Sequence, residues 1–329
     1  MVDDMKYKDL GSTGIKVSSL CMGTMTFGNE ADEETSAIIF KRCREVGINF
    51  FDCANVYAGG KSEEILGKLI RGIRDEIVLT TKFYGKVGDD VNAKGASRYH
   101  IRQAIDASLM RLQTDHVDVY FVHHFPEGIP LEVVLRNLDD LVRQGKILHL
   151  GASNFAAWQY EKALGISLLN GWNRVDVIQP MYNLVKRQAE VEILPMAQAE
   201  DLGVISYSPL GGGLLTGKYS EDRKNEGRIS TNPMYQARYG EKENFQTAAK
   251  FVEFANQNGF DPAALAVAWV ASHPAVTAPI IGAHNLGQLE SSLKSLEIEM
   301  TLELRQAISL LSPEPPLATD REDERGKIK

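Results

Sequence analysis

Eight short apolar runs recur along the chain, and most are separated by stretches long enough to be helices. They are Ser19–Met25, Phe50–Ala54, Ile77–Lys82, Val117–His123, Ile147–Ser153, Val175–Met181, Val204–Ser208 and Ala278–Gly282. Between them, Ile101, Ala104, Ile105, Ser108, Leu109 and Leu112 recur at helical spacing, as do Val134, Leu135, Leu138, Leu141 and Val142. Helix starts are marked as well: Asp261 precedes Pro262, and Thr301 precedes the last long helical stretch. Strands that are apolar almost throughout are buried on both faces, which is the habit of parallel sheets. Eight strand-then-helix units therefore predict a (β/α)8 TIM barrel, whose sites gather at the C-terminal ends of the strands.

No Pro/Ser-rich linker divides the 329 residues, so one barrel domain over 1–329 is expected. Residues 5–17 read as two short strands around a Gly-Ser-Thr-Gly turn, a hairpin placed to cap one end of the barrel. Residues 84–100, 211–245 and the tail 312–329 are too long and polar for simple connections. They are expected to carry specificity or to close over a ligand. The run Asp320–Arg325 within the tail reads as a solvated end.

The polar residues of the apolar runs sit where a barrel would place its chemistry. Asp52 ends one run, and Tyr57 follows five residues later, just before Gly59 and Gly60. Lys82 ends the next run, and His123 and His124 end the one after it. A buried Asp needs a partner charge or several hydrogen bonds, so Asp52 and Lys82 form either a site or a plain interior ion pair. Adjacent on a strand, the two histidines are expected to point to opposite faces, leaving one for the barrel interior and the other for the helical layer or the mouth rim.

A formal charge of −8 argues against a nucleic-acid partner, and no membrane partner is expected. Cys21, Cys43 and Cys53 match no metal-ligand spacing, and no metal site is expected. The N-terminus lacks the basic and apolar regions of a signal peptide, so the reading is a reducing, cytoplasmic setting. Cys53 flanks the polar residues but reads as a small buried thiol.

In their order, these blocks resemble the aldo-keto reductase family over nearly the whole chain. The matching stretches are Met22–Met25, Phe51–Tyr57, Thr81–Lys82, Asp118–His123, Gly151–Phe155, Gln179–Asn183, Tyr207–Gly211 and Gly282–Gln288. The resemblance implies reversible, NAD(P)H-dependent reduction of aldehydes or ketones, with Asp52, Tyr57, Lys82 and His123 as the catalytic set. The spacing from Asp118 favours His123 over His124 for that role. Reducing a carbonyl requires a proton at its oxygen, and a Tyr can supply it if a cation such as Lys82 stabilises the phenolate. Asp52 would hold Lys82 charged, and His123 would orient the carbonyl oxygen.

The same resemblance implies NADP as cofactor, with NAD possible. Gly211–Gly217 almost imitates a dinucleotide fingerprint but follows the seventh strand of a barrel, so it is rejected as a Rossmann loop. It is expected instead to wrap the pyrophosphate, with Ser208, Leu210 and Gly212 close to it and Lys218 and Arg228 as cations. Ser153, Asn154 and Gln179 would bind the carboxamide, Tyr207 would stack on the nicotinamide, and Gly23, Thr24, Met25 and Asp52 would flank it. At the adenosine end, Gly282, His284 and Gln288 are expected. There the chain departs from its relatives: His284 stands where Arg is common, a weaker and pH-dependent anion partner, and Ser291 and Ser292 replace a carboxylate and an amide.

Met25, Phe27, Tyr84 and His124 are expected to touch a small carbonyl substrate, and the apolar ones favour an uncharged or aromatic carbonyl. Oligomeric state is not readable. Two rival functions remain: a cofactor-binding regulatory subunit resembling the β subunits of potassium channels, and a Schiff-base lyase or aldolase using Lys82 as nucleophile.

Overall fold

The computed structural model describes residues 5–219 and 227–319. The Asp320–Arg325 run of the tail lies outside the described residues. β1 (Tyr7–Asp9) and β2 (Lys16–Ser18) form the expected antiparallel hairpin. It closes the N-terminal end of the barrel. Leu10 is fully buried among the inward residues Phe50, Val119, Phe121, Val177 and Ile205, and Ser12 N donates to Asp201 O at 3.1 Å.

The barrel strands are β3 (Cys21–Gly23), β4 (Phe50–Asp52), β5 (Val78–Phe83), β6 (Val117–Val122), β7 (Ile147–Ser153), β8 (Val175–Gln179), β9 (Gly203–Ser206) and β10 (Ala278–Ile281). All pair in parallel in sequence order, and β10 pairs with both β9 and β3 to close the ring. Helices cover the outside: α1 (Glu33–Glu45), α2 (Lys61–Leu69), α3 (Arg98–Leu112), α4 (Leu131–Arg143), α5 (Ala157–Asn170) and α6 (Ile193–Ala199). Among the described residues after β9 are two short helices, α7 (Arg228–Thr231) and α8 (Pro233–Tyr239), before α9 (Lys242–Gln257), α10 (Pro262–Ala271), α11 (Leu286–Leu293) and α12 (Leu302–Ser309). The caps read from sequence are made: Asp261 accepts from Ala263 N at 2.8 Å, and Thr301 accepts from Leu304 N at 3.2 Å.

The two-residue period of the strands decides what faces the interior. In β5, Val78 joins the inner cluster while Leu79 and Phe83 pack outward on the helices, so Thr80 and Lys82 share the inward face above Val78. In β6, Val119 and Phe121 are inward and Tyr120 and Val122 outward, which brings His123 inward at the strand's end. The lower interior is apolar and the upper end polar. That division sets where chemistry can occur.

Candidate active site

Asp52 is the last residue of β4 and is buried between three donors. Lys82 Nζ donates to its Oδ2 at 2.5 Å, and Thr80 Oγ1 and Gln179 Nε2 donate to Oδ1 at 2.6 and 2.9 Å. Lys82 Nζ also donates to Cys53 O at 2.7 Å and to the Tyr57 hydroxyl at 3.3 Å. Tyr57 is brought back over the strand ends by a tight turn. Ala58, Gly59 and Gly60 all adopt positive φ (47°, 65° and 96°), a reversal that two glycines make inexpensive.

Electrostatics follow from this burial. Burial opposes the charge of Lys82, but Asp52 and then Tyr57 outweigh it and hold the ammonium above its ordinary range. Burial pushes the Tyr57 phenol up to about 12, with Lys82 offsetting only part of the rise. The sequence-based expectation that Lys82 acidifies Tyr57 is thus met in direction but not in net effect, because burial outweighs the ammonium and Asp52 adds to the rise. Burial, then the positive charge of Lys82, with smaller contributions from His124 and Arg238, holds His123 well below the usual histidine range. A neutral imidazole can donate one hydrogen bond and accept another. Burial likewise raises Cys53 to about 12, in keeping with an inert thiol.

The His123 ring lies 6.3 Å from that of Tyr57, edge to face. The expectation that His123 and His124 point to opposite faces is corrected: β6 ends at Val122, and beyond it the two rings stack at 5.2 Å with 23° between their planes. His124 is exposed and lies 5.8 Å from the ring of Tyr84, so both are at the mouth. Phe27 is also corrected. It is fully buried in the outer core, where Phe27 N bonds to Thr24 O, and cannot line a mouth. Met25 is partly buried beside it.

A second polar chain runs along the ends of β7, β8 and β9. Ser153 Oγ donates to Gln179 O at 2.8 Å, Asn154 Nδ2 donates to His123 O at 2.9 Å, and the Tyr207 hydroxyl donates to Asn154 Oδ1 at 2.7 Å. Asn154 and Ser208 take left-handed φ of 60° and 59°, the kind of strained backbone that clusters at functional sites. On the other side, Thr24 N donates to Asp52 O at 2.9 Å, and Gly23 is buried at the end of β3.

After Leu210, three glycines in succession have positive φ, and a Cβ on Gly213 would lie 2.5 Å from Lys218 Cε. Gly211 N and Gly213 N donate within the turn, to Ser208 O at 2.9 Å and Leu210 O at 3.0 Å, so what the glycines offer is a backbone without side chains that a ligand can approach closely, beside the Lys218 ammonium. Arg228 ion-pairs with Glu30 and lies 5.4 Å from the Tyr235 ring centre. Gly282, His284 and Gln288 are exposed at the far end; the His284 N–H donates to Gln288 Oε1 at 3.2 Å. Sequence reasoning missed Thr80, which an inward polar residue two before Lys82 could have signalled. It also missed Arg238, on the seven-residue helix α8, too short to show a period.

Residues 19–309 match the Aldo/keto reductase family. The chain is 38% identical over 322 residues to YrpG, an uncharacterized oxidoreductase of Bacillus subtilis, covering 94% of this chain and 97% of that one. It is 36% identical over 318 residues to a probable voltage-gated potassium channel subunit beta of Arabidopsis thaliana, covering 89% and 92%. A versiconal hemiacetal acetate reductase of Aspergillus parasiticus is 31% identical over 326 residues, covering 91% and 94%. Fold, site and relatives together define an oxidoreductase built on a parallel barrel. The chain belongs to the aldo/keto reductase family.

Proposed function

We propose that this protein reduces aldehydes or ketones to alcohols with a nicotinamide cofactor, taking NADPH in preference to NADH. The carrying observation is the buried chain Asp52–Lys82–Tyr57 with a neutral His123 beside it. The residues at the mouth fit such a cofactor. The positive-φ glycines with Lys218 suit a pyrophosphate, the Tyr207 ring suits the nicotinamide, and Ser153, Asn154 and Gln179 offer amide and hydroxyl partners for a carboxamide. Gly282, His284 and Gln288 suit the adenosine end, with Arg228 nearer the phosphates. When bound, the cofactor supplies hydride to the carbonyl carbon.

The chain's own residues handle the proton. Tyr57, protonated at neutral pH because its phenol sits near 12, gives its proton to the carbonyl oxygen as alkoxide character develops. Lys82 steadies the phenolate that remains, and Asp52 keeps Lys82 charged in a dry site. His123, neutral, hydrogen-bonds the carbonyl oxygen and sets its approach. Replacing Tyr57 with Phe is expected to lower kcat by about 10²-fold or more across an aldehyde panel, with NADPH binding retained. Undiminished turnover would remove Tyr57 from the proton transfer.

A second reading has support in the likeness to potassium channel β subunits, which favours a cofactor-binding partner of a membrane channel. Tight NADPH binding with no turnover on any carbonyl would select it. A Schiff-base lyase needs Lys82 neutral, and Asp52 opposes that.

A further inference from the structure

Among the described residues, the arginines other than Arg102 and Arg238 each bond a named partner, such as Glu290 for Arg42, Asp118 for Arg74, Glu63 for Arg111 and Glu30 for Arg228. Arg102 is exposed on α3. Arg238 is different. It is partly buried on α8, its guanidinium carbon lies 5.9 Å from the centre of the Tyr207 ring, and no described residue accepts a hydrogen bond from it or pairs with it. Glu241, three residues on, lies instead 3.9 Å from Lys186. A guanidinium carries five N–H donors, and with no protein acceptor on them they stay open to solvent and to an acceptor group that enters the mouth.

Its position says which acceptor. The Tyr207 hydroxyl holds Asn154, whose amide holds the His123 carbonyl, so Arg238 stands over the group that lines the carbonyl end of the mouth. Its charge is felt by both His123 and His124. The cations suited to the cofactor phosphates are held differently: Lys218 feels Arg228, and Arg228 pairs with Glu30 and lies over Tyr235 rather than Tyr207. With Phe27 withdrawn into the core, the apolar case for an uncharged substrate is weaker than its sequence suggests.

We infer that Arg238 forms a subsite for a carboxylate on the carbonyl substrate, so that short oxo acids are reduced in preference to neutral aldehydes of the same length. The inference rests on the reduction proposed above. A planar fork matches a carboxylate with two parallel hydrogen bonds, while the carbonyl at the other end of the molecule meets Tyr57 and His123.

The test compares 4-oxobutanoate with butanal under NADPH, in the wild type, Arg238→Gln and Arg238→Lys. The wild type is expected to favour the oxo acid. Arg238→Gln should lower kcat/KM for the oxo acid about 10- to 100-fold beyond any change for butanal, chiefly through KM, the range that a charged hydrogen bond confers. Arg238→Lys should restore part of it. Equal losses on both substrates, or a loss confined to NADPH affinity, would overturn the subsite and assign Arg238 to the Tyr207 stack or the cofactor. Calorimetric titration of butanoate into each protein, with and without NADP, reads the subsite without turnover. If neither carbonyl is reduced but butanoate binds the wild type and not Arg238→Gln, the subsite stands and the reduction falls; no butanoate binding sinks the subsite alone.

Discussion

Lys82 is held charged by one carboxylate, and that carboxylate is satisfied only because three donors converge on it. Removing the countercharge leaves an ammonium with no exposed surface. Asp52→Asn is therefore expected to cost about 3–5 kcal/mol of stability, the usual penalty for orphaning one partner of a buried pair, read as a lower urea midpoint. A midpoint that does not move would mean that the pair is not buried in solution as it is here. His123 gives a second residue-scale prediction. Its folded pKa lies below its unfolded one, so the native state binds fewer protons; the contribution to stability is present above about pH 6.5 and is lost as pH falls through the folded value. In a proton NMR titration the His123 ring signal should stay in its neutral position from pH 8 to pH 6, and a midpoint near 6.5 would show that Lys82 and burial do not act on it as described.

At the scale of elements, the segment between β9 and α9 is the part of the molecule that sequence left least legible. α7 carries Arg228 across to Glu30 in the loop after β3, which joins two sides of the barrel mouth. Both side chains are about a third exposed, so the pair contributes in the range of about 0.2–1 kcal/mol. Glu30→Gln should then speed cofactor release about 2- to 5-fold in stopped-flow displacement, and an unaltered rate would show that the bridge does not restrain the mouth. The strands were legible for a physical reason: a wall buried on both faces must be written in apolar residues, and its two-residue period carries Asp52 and Lys82 to the inside. Where the period stops, so does the reading. His123 and His124 turn out stacked because β6 ends at Val122, directly before them, and Arg238 lies on a two-turn helix that is anchored by its buried Tyr235 and Tyr239 rather than by any pattern. Phe27 misled for the opposite reason. A large apolar residue near a site is as easily core as lining, and only its contacts decide.

At the scale of the whole molecule, 44 acidic residues against 36 basic ones oppose any anionic cofactor, and the 2′-phosphate of NADPH adds up to two negative charges. A preference for it must come from local cations. Lys218 has its pKa lowered by partial desolvation and then by Arg228, and Arg228 is already engaged by Glu30. His284 completes the set, exposed and four residues from Gln288, whose side chain accepts from its backbone N–H. An imidazole offers at most two N–H donors and no planar fork, so a preference carried by His284 should be modest. His284→Arg should enlarge it, since a guanidinium is always charged and matches a phosphate with two parallel hydrogen bonds. Fluorescence titrations of NADPH and NADH on the wild type and the Arg variant measure the effect. If NADH binds more tightly to the wild type, the NADPH assignment fails; if NADPH is preferred with no response to the Arg replacement, the 2′-phosphate meets Lys218, Arg228 or Gln288 instead, and breaking the Glu30 bridge should then raise the preference by freeing Arg228.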